Sequence, residues 1–83
     1  YPNPFNPTTT IEYDLPEKTK VSIVIFDILG REIATLVNEE QNIGSYKYIF
    51  NANSFGKGLA SGVYFYRLHT NHYTLTQKML LIK

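Results

Sequence analysis

Alternation of apolar and polar side chains, interrupted at short intervals by glycine, proline and asparagine, restricts the fold of this chain more than any other feature. From Thr8 onward, Ile11, Tyr13 and Leu15 fall on one side of an extended backbone and Thr10, Glu12 and Asp14 on the other, until Pro16 ends the run. A period of two is that of a strand, whose successive side chains point to opposite faces. Residues 20–27 place Val21, Ile23 and Ile25 against Val24 and Phe26, apolar on both faces, as in a central strand. Leu29-Gly30-Arg31 supplies a turn glycine, and residues 32–37, with Ile33, Leu36 and Val37, read as a short strand returning in a hairpin. A helix over 27–37 is the competing reading, disfavoured by Gly30 and by its shortness.

Further on, residues 38–44 read as a polar connection, after which Tyr46, Tyr48, Phe50 and Ala52 alternate with Lys47 and Asn51. Residues 53–62 hold Gly56, Gly58 and Gly62 and read as a loop tacked onto the core by Phe55 and Leu59. Residues 63–70 are rich in β-branched and aromatic side chains, and Asn71-His72 turns the chain into a last strand over 73–83. The expected fold is all-β, an immunoglobulin-like antiparallel β-sandwich of about seven short strands over residues 8–83. Residues 1–7 contain Pro2, Pro4 and Pro7 and read as an extended leader or linker open to a protease.

Size and charge narrow the function. The chain has 83 residues, enough for one domain burying roughly 63% of its unfolded surface. A net charge of +1 gives no sign of the dense basic face of a nucleic-acid binder, so no nucleic-acid partner is expected. There is no cysteine, so no disulfide framework, thiol nucleophile or thiolate metal site. Apolar runs such as 23–26 and 79–82 are far short of the roughly 20 residues of a membrane span. The opening lacks both a Met and a basic-then-apolar leader, so the chain reads as a piece of a longer polypeptide.

Catalytic chemistry finds no support. Ser22, Ser45, Ser54 and Ser61 could be combined with His69, His72 and a carboxylate, yet no nucleophile-elbow spacing singles one out. His69 and His72 flank a turn without a third metal ligand and read as surface residues. Glu39-Glu40 reads as a solvated turn, and Gly56-x-Gly58-x-x-x-Gly62 is not a phosphate-binding pattern. Tyr64, Tyr66 and Tyr73 could form a sugar-stacking platform, although alternating aromatics in a thin sandwich read first as core. No enzyme activity, cofactor or metal is expected.

Four segments carry a more specific signal: Tyr1-Pro2-Asn3-Pro4-Phe5-Asn6-Pro7-Thr8-Thr9-Thr10-Ile11, Phe26-Asp27-Ile28-Leu29-Gly30-Arg31-Glu32-Ile33, Leu59-Ala60-Ser61-Gly62-Val63-Tyr64-Phe65-Tyr66-Arg67-Leu68, and Lys78-Met79-Leu80-Leu81-Ile82-Lys83. In this order they resemble the type A C-terminal sorting domain of the type IX (Por) secretion system, found at the ends of exported proteins in Bacteroidetes and related bacteria. More loosely, they resemble the immunoglobulin-like domain of flagellar hook-capping proteins. The first resemblance implies a non-enzymatic secretion signal on a cargo polypeptide that crosses the inner membrane by a separate leader. Its implied partners are an outer-membrane translocon, a sortase-like peptidase and the N-terminal cargo. Its implied route runs through the periplasm to the cell surface or the medium, with the cargo anchored or released.

Carried over by position, Gly62, Val63 and Tyr64 match the family's glycine-aromatic motif, and Lys78, Met79, Leu80, Leu81, Ile82 and Lys83 match its terminal motif. The resemblance makes these nine the expected recognition residues and the rest scaffold. A terminal strand at a sheet boundary suits capture by strand addition or by its carboxylate, and Gly62 suits a turn that requires positive φ. The alternatives are an accessory carbohydrate-binding or adhesion module, and a structural module of a flagellar or extracellular assembly.

Overall fold

Each alternating run becomes a strand in a computed structural model that describes residues 8–52 and 59–81. These are β1 (Thr8–Leu15), β2 (Thr19–Asp27), β3 (Glu32–Gln41), β4 (Gly44–Asn51), β5 (Gly62–His69) and β6 (Thr74–Leu81). The described residues thus form six strands rather than about seven. The leader 1–7, Phe55 and the glycine-rich stretch 53–58, and the terminal Ile82 and Lys83 lie outside the described residues.

Residues 27–31 are a turn and not a helix, and the hairpin beyond them is longer than the apolar pattern predicts. The polar residues Asn38, Glu39, Glu40 and Gln41 pair with Ser22, Val21, Lys20 and Thr19 instead of forming a loop. Glu39-Glu40 is therefore the exposed end of a strand, not a turn. An edge strand has one hydrogen-bonded neighbour and water on its other side, so its backbone can be paired where its side chains carry no apolar signal.

Among the described residues all pairings are antiparallel, in a four-stranded sheet of order β3-β2-β5-β6 and a two-stranded sheet β1-β4. This order is that of the C′-C-F-G and B-E strands of an immunoglobulin sandwich. A tyrosine corner supports the correspondence: near the start of β5, the Tyr64 hydroxyl donates to the Ala60 carbonyl at 2.7 Å.

The sheets bury two apolar clusters between them, one toward each end of the strands. Ile11, Tyr13, Leu15, Val21, Ile23 and Leu68 form the first, toward the turns 16–18, 42–43 and 70–73, here called the closed end. Ile25, Phe50, Ala52, Tyr64, Met79 and Leu81 form the second, toward the β2–β3 turn, the start of β5 and the end of β6, the open end. Leu59 packs against this second cluster from the incoming loop, as its sequence context predicts.

The closed end is cross-linked by polar side chains. Tyr13 Oη donates to Gln41 Oε1 at 2.7 Å, Tyr73 Oη to the Asp14 carbonyl at 3.0 Å, and Ser45 Oγ to Asp14 Oδ1 at 2.7 Å. Thr19 and Thr70 are buried, and their hydroxyls bond to backbone N–H groups. Thr19 Oγ1 accepts from Asn71 N, while Thr70 Oγ1 accepts from His72 N and Tyr73 N. Burial pushes the Tyr13 hydroxyl above the ordinary tyrosine range, against the lowering effect of its bond to Gln41, so it stays a donor at neutral pH.

Candidate functional site

At the open end the chain reverses between β2 and β3 on a single carboxylate. Asp27 Oδ1 accepts from the N–H groups of Leu29 and Arg31, each at 2.9 Å, and Asp27 Oδ2 accepts from Arg31 Nε at 2.7 Å. The Asp27 and Arg31 backbones close the same loop, with Asp27 N donating to Arg31 O at 2.9 Å. Gly30 takes the left-handed φ of +84° that this reversal requires. The N–H of Arg31 is the largest influence holding the Asp27 carboxyl below the ordinary aspartate range, and the Arg31 side chain and Leu29 N–H act in the same direction. The turn is thus fixed, and it holds two apolar side chains in water: Ile28 is 67% and Leu29 75% exposed.

The approach to β5 forms the opposite wall. Tyr64 is buried, and its bond to Ala60 ties down the segment just before the strand. Gly62 has φ +154°, outside what a side-chain-bearing residue readily adopts, although a Cβ there would meet nothing within 4 Å. Glycine is therefore required at this position by backbone geometry and not by lack of space. Between the two walls lies a surface cleft of about 570 Å³ whose lining includes Ile28, Leu29, Leu59, Gly62, Val63 and Tyr64.

The end of β6 lies beside this site, since Gly62 pairs with Leu81, Val63 with Leu80 and Tyr64 with Met79. Met79 and Leu81 point inward and are buried, whereas Lys78 and Leu80 are on the outer face, Leu80 being 64% exposed. The cross-strand row Phe26, Phe65, Lys78 continues that face, and the Arg67 guanidinium lies 4.6 Å from the Phe26 ring centroid.

The structure therefore brings Gly62, Val63, Tyr64, Lys78, Met79, Leu80 and Leu81 together and divides them by orientation. Tyr64, Met79 and Leu81 build the core beneath the site, while Val63, Lys78 and Leu80 face outward. Ile82 and Lys83 lie outside the described residues. Sequence reasoning missed the two apolar side chains at the tip of the β2–β3 turn, reading 29–31 only as a place where the chain reverses. The available signal was an aspartate followed by adjacent aliphatic residues and then glycine, an arrangement that both closes a turn and leaves its apolar pair outside.

The other candidate groups take structural places. His69 Nδ1 is 2.7 Å from Thr74 Oγ1, and His72 Nε2 is 3.4 Å from Glu17 Oε2. Among the described residues no group of three His, Cys, Asp or Glu side chains could hold a metal ion, and no helix is long and apolar enough to cross a membrane. Tyr66 is half-buried and Tyr73 is 37% exposed. Tyr13 and Tyr46 stack with centroids 5.3 Å apart.

Comparison with known families gives a match over residues 1–83 to the family described as the secretion system C-terminal sorting domain. No curated protein and no solved structure matches the chain.

Proposed function

The chain belongs to the type IX secretion C-terminal sorting domain family, and on that premise we propose that it directs an attached cargo protein across the outer membrane and that the export machinery reads its open end. Membership makes it a sorting signal, implies a cargo polypeptide and a secretion apparatus, and implies export to the cell surface or the extracellular space. The match over the whole chain is the observation that carries this reading. In the proposed mechanism the domain is substrate and not catalyst: it crosses folded, its cargo precedes it, and a sortase-like peptidase later cuts near the proline-rich 1–7.

What supports the open end as the surface that is read is convergence. The segments 26–33 and 59–68, far apart in sequence, line one cleft there with Ile28, Leu29 and Val63, and 78–81 pairs with 62–65 beside it and carries the exposed Leu80. Rigidity matters as much as exposure, because a preordered epitope loses little conformational entropy when bound. Asp27 and Tyr64 supply it on either side of the cleft. Gly62, Val63, Tyr64 and the strand end from Lys78 to Leu81 thus contribute in two ways, some by contact and some by holding the contacts in place.

The test is export of a periplasm-directed fluorescent cargo fused ahead of these 83 residues in a type IX-competent host. A fusion lacking residues 78–83 and a translocon-null strain serve as comparisons. The expected result is surface or extracellular fluorescence from the intact fusion in the competent host alone. Periplasmic retention of the intact, folded fusion in that host would overturn the proposal.

A further inference from the structure

The two outer edges of the four-stranded sheet are not equivalent. β3 forms one edge, and its pairing with β2 shifts register between Ile23 and Val24 and again between Ile25 and Phe26. Its charges are Glu32, Glu39 and Glu40. β6 forms the other edge in unbroken register with β5 from Gly62–Leu81 to His69–Thr74, contains no proline, and carries Lys78 as its one charge. Irregular pairing and charge are the usual means by which an edge strand is kept from accepting another strand. β3 has both, and β6 has little of either.

The charge difference extends to the chain as a whole. Glu40 is the last acidic residue; after it come Lys47, Lys57, Arg67, Lys78 and Lys83. β5 and β6 contain no carboxylate, and the outer face of β6 and its neighbour offers Lys78 among Val63, Phe65 and Leu80, with Arg67 turned toward the Phe26 ring of β2. On the inner face Leu75 is 38% exposed and Gln77 is exposed beside it, left uncovered where the two-stranded sheet does not reach across β6.

Backbone polarity at this edge follows from the hairpin. Thr70 N donates to the Tyr73 carbonyl at 2.9 Å, so that pair faces inward along the ladder. Alternation along an antiparallel pair then turns the N–H and C=O groups of Thr74, Thr76, Lys78 and Leu80 away from β5, toward the side on which no described strand lies. The buried Thr70 hydroxyl, accepting from His72 N and Tyr73 N, holds the turn and with it the register of β6.

We propose that β6 is completed by an added strand, an extended segment of a partner protein in which apolar and acidic residues alternate. Its backbone bonds to Thr76 and Lys78, its apolar side chains cover Leu75 on the inner face, and its carboxylates meet Lys78 on the outer face. A second copy of this chain fits less well, because joining two β6 edges brings two basic edges together, and joining β6 to β3 uses the irregular edge. The proposal rests on the sorting reading and names the chemistry by which the export machinery holds the signal.

Titration of the isotope-labelled chain with two synthetic peptides, one alternating valine and glutamate and one alternating valine and lysine, tests it by amide shifts and hydrogen exchange. The valine–glutamate peptide is expected to shift the Thr76 and Lys78 amides and slow their exchange. Lys78→Glu should weaken that peptide about tenfold and favour the lysine peptide. Thr76→Pro removes an edge-facing N–H and leaves the β5–β6 ladder intact, so it should abolish binding while the spectrum stays folded. Equal response to both peptides, no response at Thr76 and Lys78, or sedimentation showing that β6 pairs with a second copy would each overturn the added-strand proposal.

The export fusion separates this proposal from the one beneath it. Normal export of both the Thr76→Pro and Lys78→Glu fusions would remove the added strand and leave the sorting reading standing. Failure of the unaltered fusion in the competent host would remove the sorting reading whatever the peptides do.

Discussion

The two ends of the sandwich are built differently, although each has its own apolar cluster. At the closed end, side-chain bonds join residues far apart in the chain: Tyr13 to Gln41, Ser45 to Asp14, Asn71 to Thr19, Tyr73 to Asp14. At the open end, Asp27 bonds to Leu29 and Arg31, and Tyr64 to Ala60, all within four residues. Links of the first kind tie distant strands and turns together, two of them, Tyr13 to Gln41 and Tyr73 to Asp14, joining the two sheets; links of the second kind fix the shape of a local segment. The closed end specifies the fold, and the open end displays a fixed surface upon it. A folded secretion signal gains from that division, because the displayed residues can change without the domain unfolding.

The comparison fails if stability is not concentrated where the cross-links are. Ile23→Ala, at a fully buried position of the closed-end cluster, is expected to cost about 2–5 kcal/mol in urea denaturation. For so small a domain that is a large share of a total near the low end of about 5–15 kcal/mol. Thr19→Val leaves the N–H of distant Asn71 without its acceptor and should cost about 1–3 kcal/mol. Tyr64→Phe, which deletes one hydroxyl bond at the open end, should cost no more than about 1 kcal/mol by the same measurement. An equal or larger loss for Tyr64→Phe than for Thr19→Val would contradict the division between the ends.

Smaller effects sharpen the same contrast. Ile28→Ser with Leu29→Ser removes apolar groups already in water and should leave stability within about 0.5 kcal/mol. Acid should act on the open-end turn late. The Asp27 carboxyl is held below its ordinary range by Arg31 N–H, so its folded pKa is lower than its unfolded one. Such a group stabilises the folded turn above its unfolded pKa, and the contribution is lost as pH falls through the folded pKa. The Leu29 and Arg31 amide shifts should therefore be flat through the neutral range and move only below the ordinary aspartate range. Asp27→Asn should remove that acid transition, and its survival in the variant would assign it to another group.

Much of this was legible in the residues. The alternation of Ile11, Tyr13 and Leu15, and the apolar content of both faces of 20–27, point directly to one half-buried and one central strand, because strand geometry imposes a two-residue period on whatever is buried. Asn38 to Gln41 gave no such sign: an edge strand can be paired through its backbone while its side chains stay polar. The buried role of Thr19 was invisible for a related reason, since a threonine that caps the N–H of distant Asn71 looks in sequence like any turn residue. At the site, the glycine-aromatic and terminal segments stood out by resemblance, but the division between core-facing Tyr64, Met79 and Leu81 and outward Val63, Lys78 and Leu80 required the register. The exposed pair on the Asp27 turn emerged only once the carboxylate was seen to hold it in place.

The most direct test compares two apolar surface positions of similar exposure, one at each end: Leu29 at 75% and Ile43 at 69%. Each is changed to aspartate in the cargo fusion, folding is checked by circular dichroism, and export by a type IX-competent host is measured. A signal read at the open end predicts that Leu29→Asp stops export and that Ile43→Asp leaves it intact. Normal export of Leu29→Asp, or equal loss from both variants, would contradict it.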